Sequence, residues 1–180
     1  RMTTKTKFDE FVAKQSAAMQ PEIDWAKKKE EWLSFLSKFY AQVEKFLGKY
    51  LSSGQIRLRY RAIKIVEEYI GEYEVKTLMI DIGRNQITLE PIGTNLIGAK
   101  GRVDMNGPNG KVKFVLVDRN ASSPGISSRV WIHGEEPPLK LPEAEVVEWA
   151  WKIGTPPPNI QYVELNQESF FDALMEVSNG

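Results

Sequence analysis

The chain has 180 residues, of which 42% are hydrophobic and 27% are charged, and its formal net charge is zero. These values are typical of an average soluble domain, so one domain over residues 1–180 is expected. The absence of cysteine excludes disulfide bonds, thiolate metal sites and cysteine nucleophiles. The sequence has neither a run of 18 apolar residues nor a signal-like apolar segment, so we expect a cytoplasmic protein without membrane contact.

Charge is unevenly distributed along the chain. Residues 1–53 carry a net charge of +3, residues 54–134 carry +4 and residues 135–180 carry −7. A basic body beside an acidic C-terminal part allows two arrangements. Either the basic surface is open to an acidic ligand, or the acidic part packs beside it and neutralises it.

The N-terminal part is predicted to form helices. Thr6 and Asp9 have the spacing of a capping box, which predicts a short helix that ends near Met19. From Trp25 to Gly54 the apolar residues recur at helical spacing, which predicts a second and longer helix.

The longer helix carries a broad apolar stripe. About 30 helical residues would extend roughly 45 Å, so the helix must either break or project from the domain. The stripe comprises Trp25, Trp32, Phe35, Leu36, Phe39, Val43, Phe46, Leu47 and Tyr50. One interpretation is core packing against the sheet. The other is a protein partner or a homodimer, bound through Phe39, Val43 and Phe46.

Beyond the helices, the apolar period changes to two, which is typical of strands. Strands are predicted from Ile56 onward and at Tyr73–Ile82, Gln86–Ile92, Thr94–Met105, Lys111–Asp118, Arg129–His133 and Ile160–Leu165. The apolar phase shifts by one at Ile63 and Ile65, which predicts a bulge or a bend. Glu143–Ile153 fits both strand and helix spacing, and its Val and Trp content favours a strand.

The predicted fold is therefore α+β. Helices over residues 1–53, one of them long, precede a curved antiparallel meander of about six to eight strands over residues 54–165, because short connections favour neighbouring antiparallel strands. A final helix over residues 166–180 is expected to be capped by Asn166.

One stretch near the middle of the chain resembles a nucleic-acid motif. Ile97-Gly98-Ala99-Lys100-Gly101-Arg102 resembles the Ile-Gly-X-X-Gly signature of KH domains, in which glycine amides approach the nucleic-acid backbone. That family has a helix on each side of the loop, whereas Pro91 and Gly93 precede this stretch and Asn106-Gly107-Pro108 would end a following helix. We therefore predict a strand whose small residues permit close packing or curvature.

A basic sheet face is the broader nucleic-acid hypothesis. Seven residues are expected to point outward from their strands: Arg57, Arg59, Arg61, Lys100, Arg102, Lys111 and Lys113. If these faces coincide, the sheet would offer the cations that phosphate contact requires. The alternative is an ordinary solvated face paired with the acidic C-terminal part.

Candidate catalytic residues are few. Glu74 and Lys76 have a spacing that puts both on one strand face, and with Asp81 they could hold Mg²⁺ for phosphodiester cleavage. His133 is the only histidine, and it has no nucleophile elbow near it. No Walker loop or dinucleotide fingerprint is present, and no cofactor or resident metal is predicted.

The sequence thus favours a non-catalytic binding or protein-interaction module. The alternatives are a nucleic-acid-binding protein that uses the basic sheet face, and a metal-dependent phosphodiesterase or nuclease.

Overall fold

A computed structural model describes residues 3–19, 23–96, 98–125 and 147–180. The elements in chain order are helices α1 (Thr4–Met19), α2 (Trp25–Phe46) and α3 (Gly48–Ser52), strands β1 (Ile56–Glu67), β2 (Gly71–Ile82), β3 (Asn85–Gly93), β4 (Gly101–Gly107), β5 (Gly110–Asp118), β6 (Trp149–Gly154) and β7 (Tyr162–Glu164), and helix α4 (Gln167–Val177). The α+β class predicted from the sequence is confirmed.

The seven strands of the described residues form one sheet in the order β1-β2-β3-β4-β5-β6-β7. Every neighbouring pair is antiparallel, so the predicted meander is also confirmed. The sheet is open, with β1 and β7 at its edges. The predicted strand Arg129–His133 lies outside the described residues, as do residues 143–146 of the ambiguous segment Glu143–Ile153. Its residues from Trp149 onward form a strand, as favoured from the sequence.

The predicted long helix breaks rather than projects. α2 begins after Asp24, whose carboxylate accepts a hydrogen bond of 3.0 Å from the Lys27 amide, and it ends before Leu47. Leu47 is 1% exposed, so the break turns its side chain into the core. The start of α1 differs from the prediction. Thr3, rather than Thr6, supplies the capping oxygen, which accepts a hydrogen bond of 3.3 Å from the Thr6 amide.

The apolar stripe of α2 packs against the sheet. The ring of Phe39 lies 5.4 Å from that of Phe114 and 4.7 Å from that of Trp151, centroid to centroid. Phe39 and Val43 are completely buried, and Phe46 stacks against Phe170 of α4 at 5.7 Å. A partner or second copy therefore cannot reach Phe39 and Val43, because the chain's own core occupies that surface. Binding through the half-buried Phe46 stays a prediction.

Of the bulge or bend predicted at Ile63, the bulge is wrong. β1 and β2 pair continuously from Ile56 with Ile82 to Glu67 with Gly71, without a register shift. The buried face nevertheless changes along the hairpin, because β3 pairs with β2 only from Leu78 onward and the rest of the hairpin extends past it. In that part of the hairpin Tyr73 and Val75 are buried, and they lie on the face opposite to that of Leu78 and Ile80.

The C-terminal helix forms as expected. Asn166 and Ser169 make a reciprocal capping box, in which the Ser169 amide donates to the Asn166 side chain and the Asn166 amide donates to the Ser169 hydroxyl, each at 2.9 Å. Phe170 and Val177 are fully buried and attach α4 to the same core as α2.

Candidate functional site

Six of the seven predicted basic residues lie on one face of the sheet. We call this the outer face; it is the side opposite the buried side chains Val103, Met105 and Phe114. The pairing continues from Arg59 through Met79, Thr88 and Asn106 to Lys111. Directly paired residues point to the same side of a sheet. The six residues are Arg57, Arg59, Arg61, Arg102, Lys111 and Lys113.

The outer face does not form one continuous basic surface. β1 and β4 are three strands apart, which is about 14 Å at the usual strand spacing. Between them lie Asp81 on β2 and Glu90 on β3. The basic residues therefore form two groups, an arginine row on β1 (Arg57, Arg59 and Arg61) and a group around Asp104.

The Asp104 group is built on a buried carboxylate. Asp104 is 2% exposed, and the Nε and Nη2 atoms of Arg102 donate to its two oxygens at 2.6 and 2.7 Å. Lys111 Nζ lies 3.5 Å from Oδ2 of the same carboxylate. The hydrogen bond to Asp104 raises the pKa of Arg102. Because such a bidentate pair satisfies both partners, Arg102 is held by the protein and is a poor candidate for phosphate contact.

The arginine row lies at the exposed edge of the sheet. All three side chains are exposed, and only Arg59 makes a salt bridge to a described residue, donating to Asp81 at 2.9 and 3.2 Å. That hydrogen bond raises the pKa of Arg59. In the described part of the chain, β1 has a hydrogen-bonded neighbour on one side only. β1 therefore offers a twelve-residue strand edge, and the arginine row lies on the outer face of its first half.

Lys100, the seventh predicted residue, lies on the opposite side of the molecule. It precedes β4 and turns toward α2, where its Nζ is 2.7 Å from Glu31 Oε2. The same ammonium group lies 5.4 Å from the ring centre of Phe35 and 5.1 Å from that of Trp149. The hydrogen bond from Lys100 lowers the pKa of Glu31. Lys100 therefore does not share the outer face with the other six residues.

The adjacent Gly101 explains why the central stretch is rich in small residues. A Cβ atom at Gly101 would lie 2.2 Å from Cζ3 of Trp32. The indole therefore rests directly on the backbone of the first residue of β4. β4 begins at Gly101 and not at the predicted Thr94. The stretch that resembles a KH loop is thus a contact site for α2.

The candidate catalytic residues are not brought together. Glu74 and Lys76 are exposed on the same face of β2. Asp81 lies seven residues further along, on the opposite face, and about 23 Å from Glu74 at 3.3 Å per residue. Among the residues that the structure describes, no three His, Cys, Asp or Glu side chains form a group that could hold a metal ion. His133 lies outside the described residues.

Two buried charges were missed from the sequence, and both attach loops to the sheet. Glu67 is 8% exposed and accepts hydrogen bonds from the Thr94 amide at 2.7 Å, the Thr94 hydroxyl at 2.8 Å, the Asn95 amide at 3.0 Å and the Tyr73 hydroxyl. Burial and this carboxylate raise the pKa of Tyr73. Glu67 therefore joins the tip of the β1–β2 hairpin to the loop after β3.

Lys152 is the second buried charge, with 4% exposure. Its ammonium group donates to the carbonyl oxygens of Arg119 and Ala121 at 2.7 and 2.8 Å, and it lies 3.0 Å from Glu164 Oε1. All three donors are thus used. The only signal in the sequence was a lysine inside the apolar segment Trp149–Ile153.

Comparisons with family models, with curated proteins and with solved structures find no match to this chain. None of the helices in the described ranges is both long enough and apolar enough to cross a bilayer.

Proposed function

We propose that this chain is a non-catalytic protein-interaction module that binds an acidic, extended segment of a partner along the edge of β1. The observation that carries the proposal is β1 itself. It is twelve residues long, it forms an edge of the sheet, and its outer face carries the arginine row.

An edge strand offers unpaired backbone N–H and C=O groups, to which an extended segment can add as a further strand. At about 3.3 Å per residue, β1 provides roughly 40 Å of such edge. Side chains that alternate along the added strand would lie beside Arg57, Arg59 and Arg61. Because opposite charges stabilise directly paired positions, acidic residues at alternate positions match this edge best.

The same arginines oppose pairing of β1 with a second copy of itself. In an antiparallel arrangement centred on Arg59, that residue would face its own copy, and Arg57 would face Arg61 of the other chain. Like charges at directly opposite positions destabilise a strand pair, and charged edges are a known protection against such self-association. The edge therefore favours an acidic partner over a homodimer.

The bonds made by the buried charged groups support a non-catalytic role. Glu67, Asp104 and Lys152 are each engaged by several partners that fix the fold. Catalytic groups must instead be able to reach a substrate and exchange a proton or a bond with it.

Nucleic-acid binding is the second candidate function. The observation in its favour is that Arg57, Arg59, Arg61, Arg102, Lys111 and Lys113 share the outer face. Two observations weigh against it. Arg102 is held by Asp104, and β1–β5 carry no exposed aromatic side chain on the described outer face on which a base could stack.

The experiment measures the binding of two fluorescent probes to the full chain. One is a ten-residue peptide of alternating Glu and Val, and the other is a twenty-nucleotide oligothymidine. We expect the peptide to bind and its affinity to fall at least tenfold in the double variant Arg57→Glu/Arg61→Glu. The matched control, Lys64→Glu/Lys76→Glu, makes the same charge change at exposed positions on the other face of the hairpin and should retain most of the binding.

Proline variants test the role of the backbone. Alternate residues of an edge strand direct their N–H groups toward and away from the neighbouring strand, so only one of Ala62→Pro and Ile63→Pro preserves the β1–β2 pairing. The variant that keeps native melting should lose peptide binding. If it still binds the peptide, strand addition is excluded. Binding of the oligonucleotide alone, unaffected by this proline, would instead support the second candidate.

A further inference from the structure

We propose that a groove beside the first residues of β5 binds a small apolar carboxylate. The groove has a volume of about 570 Å³ and lies between β5, α4 and the connection from β6 to β7. Small-molecule sites commonly occupy 300–1,000 Å³, so the volume suits a single small ligand. The proposal goes beyond the function proposed above, because it concerns the opposite end of the sheet.

The groove exists because β6 is short. β6 ends at Gly154, which pairs with Lys113, so the earlier residues of β5 have no neighbour from β6. The space beside them is lined mainly by apolar side chains. These include Leu96, Val112, Val115, Pro124, Ile153 and Ile160. An apolar ligand body would therefore replace water along most of the groove.

A glycine opens the groove on the outer face. Lys113, Gly154 and Tyr162 are paired in one row across β5, β6 and β7. Since Gly154 has no side chain, no side chain of β6 fills the space between Lys113 and Tyr162. A Cβ at Gly154 would meet no atom closer than 3.9 Å, so the glycine is not required by crowding.

Lys113 supplies the charge for a carboxylate. Its side chain is half-buried and lines the groove, and it makes no salt bridge to any carboxylate of the described residues. Its paired neighbour Asp104 is already held by Arg102 and Lys111. A half-buried ammonium group with no anion among the described residues favours a ligand that brings one.

The two walls of the groove carry opposite charges. Arg102, Lys111 and Lys113 lie on the sheet wall, whereas Asp172 and Glu176 lie on the wall formed by α4. An anionic head group would be repelled from α4 and drawn to Lys113. Burial raises the pKa of Tyr162, and its hydroxyl can donate a hydrogen bond, as that of any neutral tyrosine can. The ligand is therefore expected to bind in one orientation, with its carboxylate between Lys113 and Tyr162.

The test uses three probes with the same eight-carbon tail: octanoate, octanol and octylammonium. Their binding to the full chain is measured by titration calorimetry below the concentration at which each aggregates. We expect octanoate to bind at least tenfold more tightly than either of the others. Equal affinities for the three probes, or no binding of octanoate, would overturn the proposal.

Two variants separate the roles of charge and space. Lys113→Gln should weaken octanoate at least tenfold and leave octanol unchanged, whereas Gly154→Leu should abolish the binding of both by filling the groove. Lys64→Gln, at an exposed position of β1, is the control and should change the affinity for neither octanoate nor octanol. Thermal melting verifies that each variant is folded. An unchanged octanoate affinity in Lys113→Gln would show that this lysine does not hold the ligand.

Discussion

The two faces of the sheet are stabilised in different ways, although single strands contribute to both. In β4, Val103 and Met105 point to the helices and are completely buried, whereas Arg102 and Asp104 alternate with them on the outer face. The inner face depends on shape, as the contact between Gly101 and Trp32 illustrates. Around Asp104, the outer face depends instead on charge pairs.

This difference predicts how each face responds to substitution. A close-packed surface cannot easily move to admit an extra atom, so a substitution that adds one strongly lowers the free energy of unfolding. Breaking a charge pair lowers the free energy of unfolding more when its members are buried than when they are exposed. The three predictions below test this contrast, in order of decreasing effect.

The largest effect is expected at the inner face, for Gly101→Ala. Its new methyl group would lie 2.2 Å from an atom of the fully buried Trp32 ring. The helix or the strand must therefore move, which should cost about 3 kcal/mol or more in the free energy of unfolding. Urea denaturation followed by circular dichroism measures the loss.

Gly154→Ala is the matched control for this substitution, because a methyl group there meets only ordinary contacts at 3.9 Å. Neither glycine has a positive φ, so the comparison isolates crowding from backbone strain. Equal losses in the two variants would refute the argument that Trp32 requires glycine at position 101.

An intermediate effect is expected at the outer face, for Asp104→Ala. This change leaves Arg102 and Lys111 without their shared carboxylate. Their side chains are 25% and 52% exposed and can still reach water, so we expect a loss of about 2 kcal/mol in unfolding free energy. Asp81→Ala, which removes the half-buried partner of the exposed Arg59, should cause much less change. If the two variants were equally destabilised, burial would not be what distinguishes the pairs.

The smallest effect is expected for Glu31→Gln, where α2 meets the start of β4. The hydrogen bond from Lys100 lowers the pKa of Glu31 in the folded state. The stabilisation is therefore present above the ordinary pKa of a glutamate and is lost as the pH falls through the lowered value. The Glu31 side chain is 40% exposed, so solvent screening keeps the loss below about 1 kcal/mol at pH 7.

The difference between wild type and Glu31→Gln should disappear in acid, as measured by urea unfolding at pH 7 and pH 3. Glu30→Gln, an exposed neighbour on α2, should have little effect at either pH. A pH-independent difference at Glu31 would mean that its charge does not stabilise the fold.

The sequence could predict those parts of the fold in which buried residues recur with the period of the helix or strand that contains them. In β5, Val112, Phe114 and Leu116 alternate inward as expected, and α4 begins at its predicted cap, Asn166. The bulge at Ile63 could not be predicted correctly, because the buried face changes where the β2–β3 pairing ends and not at a local irregularity in β1.

The candidate surface was predicted in part. Alternation correctly placed Arg57, Arg59 and Arg61 on one face, since a strand with continuous pairing keeps its parity. Lys100 alternates in the same manner, but it lies before the first paired residue of β4, so its direction is set by Glu31 and not by the sheet. Glu67 was missed because its partners Thr94 and Asn95 come together only in the folded chain.

The packing of α2 has a consequence for folding while the chain is being synthesised. Phe39 stacks on Trp151, which follows it by 112 residues in the chain. At about 5–20 residues per second, the ribosome needs roughly 6–22 s to reach Trp151 after Phe39. During that interval the apolar stripe of the helix is only partly covered by the strands already made. The nascent chain is therefore most exposed to aggregation before β6 emerges, and this is the period in which a chaperone would be most useful.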